Sequence, residues 1–240
     1  MEENKKLKVC WISAGVSSFI AGYLAKDVDR YIYIDIDNQH PDSIRFVKDC
    51  EKVLGKPIEI LKSDYGSVGN VVRAFRFINS PYGAKCTDVL KKRVRKQWEY
   101  EHREYDITYV WGFDNKETNR AERLRETMIE FNHEFPLIDQ NVSKAEAHAI
   151  LQKLGIKRPI MYDLGYSNNN CVGCVKGGMG YWNKIRVDFP EVFAEMAMLE
   201  REIGRSCIKG VFLDELEPGR GRMENEIIAD CGIACELLLD

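Results

Sequence analysis

Four short runs rich in β-branched and aromatic residues, Lys8–Ile12, Tyr31–Ile36, Pro57–Leu61 and Ile107–Trp111, alternate with segments whose apolar residues recur at helical spacing. No other feature restricts the fold as strongly. The helices expected between and after these runs are Ser17–Lys26, Asp42–Leu54, Cys86–Glu101 and Lys116–Glu130. Strands that alternate with helices pair in parallel, because a helical crossover returns the chain to the same end of the sheet. The expected fold is therefore α/β, a doubly wound and mostly parallel sheet, with ligands at the carboxyl ends of its strands. A further helix is expected at Ser143–Leu154, opened by the capping-box pattern Ser143-Lys-Ala-Glu146 and closed by Gly155, and another at Phe189–Ile203. From Tyr162 the composition turns to Gly, Asn and Cys. Residues 1–160 thus read as a nucleotide-binding α/β domain, and 161–240 as a cysteine-rich, metal-bearing segment packed on it.

Composition bounds the function classes. A chain of 240 residues with 45% apolar and 30% charged content can bury a full core in water. A net charge of −3 gives no general attraction to nucleic acid or to an anionic membrane. No run approaches the roughly 18 consecutive apolar residues of a membrane span. The opening MEENKKLKV lacks the apolar centre of a secretion signal, so a cytoplasmic location is expected. Eight cysteines in a reducing compartment hold metal or do chemistry more often than they form disulfides. Cys10 and Cys50, in apolar and helical surroundings, read as packing residues.

Cys171-Val-Gly-Cys174 is the strongest local signal, a metal hairpin with a glycine in its turn. Cys86 joins it if the fold brings the two segments together. Thiolates at that density favour an iron–sulfur cluster or zinc over oxygen-preferring cations. Three cysteines leave one position to fill, for which Cys207, Cys231 and Cys235 compete, unless it stays open to a sulfur species. Cys231, near the chain end beside Gly232, is also a candidate nucleophile towards sulfur, and the plainer reading makes it a ligand with Cys235. After the first strand, Ser13, Gly15, Ser17 and Ser18 form a small-residue turn whose amides and hydroxyls suit phosphate or sulfate oxygens, or else only cap a helix. Asp35, Asp37 and His40 end the second strand, as ligands to a ribose, an adenine edge or magnesium, or as an Asx-type turn into Pro41. Lys91 and Arg95, four apart on the Cys86 helix, are the two cations of that basic run expected to face the cleft. Gly112, Glu117 and Arg120 follow the fourth strand, where Arg120 or Arg123 can clamp a phosphate with Glu117 orienting it. The plainer alternative is an exposed ion pair.

These residues together resemble the phosphoadenosine phosphosulfate reductase family, within the adenine nucleotide alpha hydrolase superfamily, over nearly the whole chain. Ser13-Ala-Gly-Val-Ser-Ser18 resembles that family's S-G-G-x-x-S phosphate loop, and Gly112 to Arg120 its G-x-R-x-x-E-S-x-x-R element. Pro136-Leu-Ile-Asp139 and Met161-Tyr-Asp-Leu-Gly-Tyr-Ser-Asn-Asn-Asn-Cys-Val-Gly-Cys174 resemble its P-L-I-D and its long tyrosine- and cysteine-bearing motif. Cys86 with Lys91 resembles the C-C-x-x-x-K cluster helix, and Asp230-Cys-Gly-Ile the E-C-G-[IL]-H tail. The resemblance implies an adenine nucleotide or sulfonucleotide held beside a four-iron–four-sulfur cluster. It further implies attack on the sulfate sulfur by Cys231 and release of sulfite by a thioredoxin-type thiol donor. Related superfamily members instead adenylate an acceptor, such as a nucleic acid, with ATP and insert sulfur, often with a three-cysteine cluster. A third reading is a zinc-stabilised nucleotide-binding module without catalysis.

Several positions depart from the pattern. Thr87 replaces the second cysteine of the adjacent pair, Ala14 a loop glycine, Asp114 an arginine and Ala234 the tail histidine. Lys176-Gly-Gly-Met-Gly-Tyr-Trp182 is a run the pattern does not explain, either a tight turn that packs Tyr181 and Trp182 or an acceptor-binding lip.

Overall fold

Strand β1 (Lys5–Ile12) divides its side chains cleanly between two apolar layers, and the rest of the sheet follows it. The computed structural model describes residues 5–80 and 83–223; Cys231 and Cys235 lie outside the described residues. The elements in chain order are β1, α1 (Val16–Leu24), β2 (Arg30–Asp35), α2 (Asp42–Leu54), β3 (Ile58–Lys62) and α3 (Val68–Phe75). A two-stranded hairpin, β4 (Asn79–Ser80) and β5 (Gly83–Ala84), leads into α4 (Lys85–Thr87), a π-helical turn over Asp88–Lys92, and α5 (Arg93–Glu101). Then come β6 (Tyr105–Val110), α6 (Thr118–Thr127), β7 (Asn132–Glu134), α7 (Pro136–Asp139), α8 (Lys144–Lys153), α9 (Ile160–Asp163), α10 (Met179–Asp188) and α11 (Pro190–Ile203).

Five strands form one parallel sheet in the order β3-β2-β1-β6-β7. Cys10 and Ile12 of β1, with Tyr31 and Tyr33 of β2, face α1, α2 and α8, meeting Phe19, Phe46 and Leu151. Val9 and Trp11, with Ile32 and Ile34, face the opposite layer, which includes Val72, Trp98, Leu124, Trp182 and Leu199. That period-two division buries both faces and makes the fold doubly wound and Rossmann-like. The chain builds β1, β2 and β3 outward in one direction, then crosses back to add β6 on the other side of β1. The switch point therefore lies between the carboxyl ends of β1 and β6, where such sheets open a crevice.

Local chemistry sets the ends of several elements. Ser143 caps α8, accepting from the Glu146 amide while the Glu146 carboxylate accepts from the Ser143 amide, the reciprocal pair its sequence announces. Asp42 opens α2 and ties down a later segment as well. Its carboxylate accepts from Arg45 at 2.7 Å and from the Ile160 amide at 2.8 Å, and Arg45 donates to the carbonyls of Lys157 and Arg158. The approach to the cysteine segment is thereby fixed against the second helix. Among the described residues no helix is long and apolar enough to cross a membrane.

Candidate functional site

The crevice at the switch point is bounded by the loop after β1 and the loop after β6, which touch directly. A side chain at Gly112 would put its first carbon 2.5 Å from the Ser18 Cα and 2.6 Å from the Ser18 nitrogen. Gly112 is thus glycine for close approach: it brings the β6 loop against the start of α1. Within the first loop the Ser18 hydroxyl donates to the Gly15 carbonyl (2.9 Å) and accepts from the Ser13 amide (2.9 Å), with the Ser13 hydroxyl 3.0 Å away. Those bonds hold Ala14 in a left-handed conformation (φ 59°), the position where a glycine would be unstrained. Gly15 precedes α1 with no side chain to cap it, and Ser17, half-buried, is the second residue of the helix. A helix start of this kind presents amides and the positive end of its dipole to an anion.

The β6 loop is held by its own charges. Glu117 accepts from the Asp114 amide (3.0 Å) and pairs with Arg120 (2.6 Å), whose guanidinium lies 4.4 Å from the centre of the Phe113 ring. The i, i+3 pair anticipated from sequence is present, and stacking on Phe113 orients the cation. Arg123 is exposed. At the end of β2, Asp35 receives the Tyr33 hydroxyl (3.5 Å) and lies 3.7 Å from Lys62, which also binds Asp37. His40 accepts from the Asp42 amide at 3.1 Å and so serves the turn into α2.

Beside this crevice a small pocket, partly open to solvent, is lined by Cys86, Cys171 and Cys174 together with Ile36, Val68, Thr87, Leu90, Lys91, Val175 and Lys176. The fold thus brings residue 86 to the Cys-x-x-Cys turn. The π-helical turn explains how Cys86 and Lys91 share this pocket. Five residues span about 140° beyond a full turn of α-helix, whereas i→i+5 bonding returns residue i+5 to nearly the same face. The same shift corrects the α-helical reading of the basic run. Arg95 does not follow Lys91 into the pocket; it is buried against the Met128 sulfur (3.0 Å) and paired with Glu99 (3.3 Å) beneath β6.

The Cys-x-x-Cys turn is fastened on three sides. Gly173 has φ 72°, and any side chain there would strike Val192, so the turn requires glycine. The Tyr181 hydroxyl accepts from the Cys174 amide (2.9 Å) and donates to the Cys171 carbonyl (3.2 Å). Burial first, then the neighbouring Cys174, pushes that phenol well up from its usual value, so it stays protonated. The Val172 amide donates to the Asn38 carbonyl (2.8 Å), and the Asn38 side chain accepts from the Val68 amide at the start of α3 (2.7 Å). Asn169 donates to the Ala14 carbonyl (2.9 Å) and to the Ser43 hydroxyl (3.0 Å), joining the cysteine segment to the loop after β1.

Cys207, from the stretch after α11, is buried next to this assembly. Burial, the carboxylate of Glu200 and the nearby Cys174 and Cys86 push its thiol up. Glu200, fully buried, accepts from the Cys207 amide (2.5 Å) and the Leu213 amide (2.6 Å). Among the described residues no three His, Cys, Asp or Glu side chains form a group that could hold a metal ion as placed. Cys86, Cys171 and Cys174 do line one pocket.

Sequence reasoning passed over Asn38, Asn169 and Glu200, and gave Tyr181 only a packing role. The run Asn168-Asn169-Asn170 just before Cys171 was the available signal, and the structure buries all three amides, which must then find partners. The glycine-rich run resolves as packing: Tyr181 and Trp182 are buried, a side chain at Gly177 would overlap the Tyr181 ring, and one at Gly180 would meet the Arg222 backbone.

Fold and crevice define a doubly wound α/β protein with a thiol-lined pocket beside its switch point. No family model matches the chain. An uncharacterized protein of Methanocaldococcus jannaschii is 24% identical over 215 residues, covering 84% of this chain and 43% of the archaeal protein. The chain therefore spans less than half the length of that relative.

Proposed function

We propose that the chain is an enzyme of sulfur chemistry similar to the phosphoadenosine phosphosulfate reductases, acting on an adenine sulfonucleotide beside a thiolate-bound iron–sulfur cluster. The observation that carries this reading is the junction of two sites: Asn169 bonds the Cys171–Cys174 segment to the loop after β1. A nucleotide whose phosphates lie on that loop has its distal group directed towards the thiol pocket. Ser13, Gly15, Ser17 and Ser18 receive the phosphates, Gly112 sets the width of the crevice, and Glu117 orients Arg120 towards anionic oxygens. Asp35, at the end of β2, is assigned to the ribose or adenine edge. Lys91, on the pocket wall, supplies positive charge near the transferred sulfonate.

The donor set fits the implied cofactor. Three thiols lining one pocket are the soft donors that an iron–sulfur cluster takes, with zinc as the alternative. Cys86, Cys171 and Cys174 would hold it, and when bound it supplies concentrated charge beside the scissile bond. The Cys231 thiolate attacks the sulfur: an S–S bond forms, the S–O bond to phosphate breaks, and the nucleotide leaves with the electron pair. A thioredoxin-type dithiol then reduces the Cys231 thiosulfonate, releasing sulfite, restoring the thiol and becoming a disulfide.

A second reading, ATP-dependent sulfur insertion into a nucleic acid or small acceptor, draws on Thr87. It lines the pocket where a paired cysteine would complete the ligand set. Anaerobic assays separate the two. Sulfite release from a sulfonucleotide plus thioredoxin, lost in Cys231→Ser, supports the reductase. Pyrophosphate release from ATP only with an acceptor present replaces it with the insertion enzyme.

A further inference from the structure

Three thiols in the pocket leave a four-ligand centre one short, and Thr87 offers a neutral hydroxyl that is a poor substitute for a thiolate on iron. Three independent features converge on one other residue. Cys207 is buried in the same apolar cluster as Cys174, and Cys86 and Cys171 pack against that cluster. The side-chain amide of Asn79 donates both to the Cys207 carbonyl (3.0 Å) and to the carbonyl of Val175, the residue after Cys174. One nitrogen therefore clamps the backbones of 175 and 207 together. Asn79 itself begins the hairpin that runs directly into α4 and Cys86. On the far side, Glu200 fixes the Cys207 amide from a fully buried position. A buried acid used to anchor a loop residue from one side, with an amide anchoring it from the other, costs desolvation that an ordinary packing cysteine does not require.

We propose that Cys207 is the fourth thiolate of the centre held by Cys86, Cys171 and Cys174, taking the place that the family pattern gives to a cysteine at position 87. This rests on the cluster reading above and deepens it, since it removes the need for a ligand from the C-terminal tail and leaves Cys231 available to react. It also distinguishes Cys207 from Cys50, an equally buried cysteine that stands in the opposite layer among α1, α2 and β1.

The test is iron and acid-labile sulfide content, with electron paramagnetic resonance, on full-length chain purified without oxygen. It compares wild type with Cys207→Ser, Cys207→Ala, Cys50→Ser, Cys231→Ser and Cys235→Ser. The bonds of the 207 carbonyl to Asn79 and of the 207 amide to Glu200 survive both substitutions, and Cys207→Ser also keeps a hydroxyl for the Glu200 carboxylate, which bonds the thiol as well. Near-ultraviolet circular dichroism checks that the fold is intact. Both 207 variants are expected to lose at least half of the iron, or to convert a four-iron signal to a three-iron one. The Cys50, Cys231 and Cys235 variants are expected to keep wild-type content. Full iron and an unchanged spectrum in Cys207→Ser would overturn the ligand assignment while leaving the cluster in place. Loss confined to Cys235→Ser would do the same and return the fourth position to the tail. Wild type free of iron and sulfide would overturn both the cluster and this ligand.

Discussion

Replacing Gly112 with alanine tests the contact that brings together the two loops proposed to hold the nucleotide. The added carbon would stand 2.5 Å from the Ser18 Cα and 2.6 Å from its nitrogen. Carbon atoms in contact prefer about 3.5–4.0 Å, so the loops must part by roughly 1 Å. The obstacle is backbone on both sides and no flexible side chain can yield. Overpacking of this kind costs about 1–3 kcal/mol. For a chain of this size each kcal/mol lowers the melting temperature by about 2–4 °C, giving a fall of about 2–12 °C. The control is Gly69→Ala in α3, where the added carbon meets only the mobile end of Arg73 at 3.3 Å and the Ser67 hydroxyl at 3.9 Å. It should leave stability unchanged or raise it by up to about 1 kcal/mol. Thermal melts by circular dichroism read stability, and isothermal titration with ATP and with a sulfonucleotide reads the crevice. Gly112→Ala should bind both nucleotides at least about tenfold more weakly. A melting temperature within a degree of wild type would refute the loop contact. A large destabilisation with unaltered affinity would place the nucleotide elsewhere.

Other consequences are as direct. Asn169→Ala removes two hydrogen bonds, including the one to the Ala14 carbonyl, and should cost about 1–3 kcal/mol and weaken nucleotide binding several-fold. Its metal content should stay intact because Val172 still bonds Asn38; wild-type affinity would contradict the coupling of the two sites. Lys91→Met should weaken a sulfonucleotide by about tenfold or more relative to AMP, the scale of one lost charged hydrogen bond, and an equal effect on both would contradict its position beside the sulfonate. His133 accepts from the Trp111 indole at Nδ1 (3.0 Å) and faces the Met128 carbonyl through Nε2 (2.9 Å), an arrangement that only the neutral ring satisfies. Burial holds its pKa below the usual value. Its contribution to stability is therefore present above about pH 6.5 and is lost as pH falls through the folded value. Melts from pH 7.5 to 5 should show a shallower slope in His133→Phe, not a flat one, because burial also lowers His148; an unaltered slope would exclude this titration.

The centre of the sheet was legible because Val9–Ile12 of β1 and Tyr31–Ile34 of β2 are buried on both faces and read as continuous apolar runs, while β3 and β6 showed through β-branched and aromatic residues interrupted by Glu59 and Thr108. β7 was not, since Asn132-His133-Glu134 is three polar residues at an edge and owes its strand form to the neighbouring β6. α10 was hidden by Gly177, Gly178 and Gly180, which read as irregular chain but allow Tyr181 and the Arg222 backbone to approach. At the site, serines, glycines and cysteines announced themselves through spacing, since their chemistry is local. The partners that align them did not. A π-helical turn leaves no mark in composition, so the pairing of Lys91 with Arg95 followed the commoner α-helical geometry and Arg95 proved to be a core cation. Asn169 and Glu200 act through bonds to distant main chain, and no spacing rule within one element finds such contacts.

Whether sulfurs from opposite ends of the fold bind one inorganic body is decided by assaying iron and sulfide in Cys86→Ala against wild type, both isolated under anaerobic conditions. About four of each per wild-type chain are expected, as in a four-iron cluster, falling by most of that in the variant. Undiminished content after loss of the residue 86 sulfur, or its absence from wild type, would contradict the account.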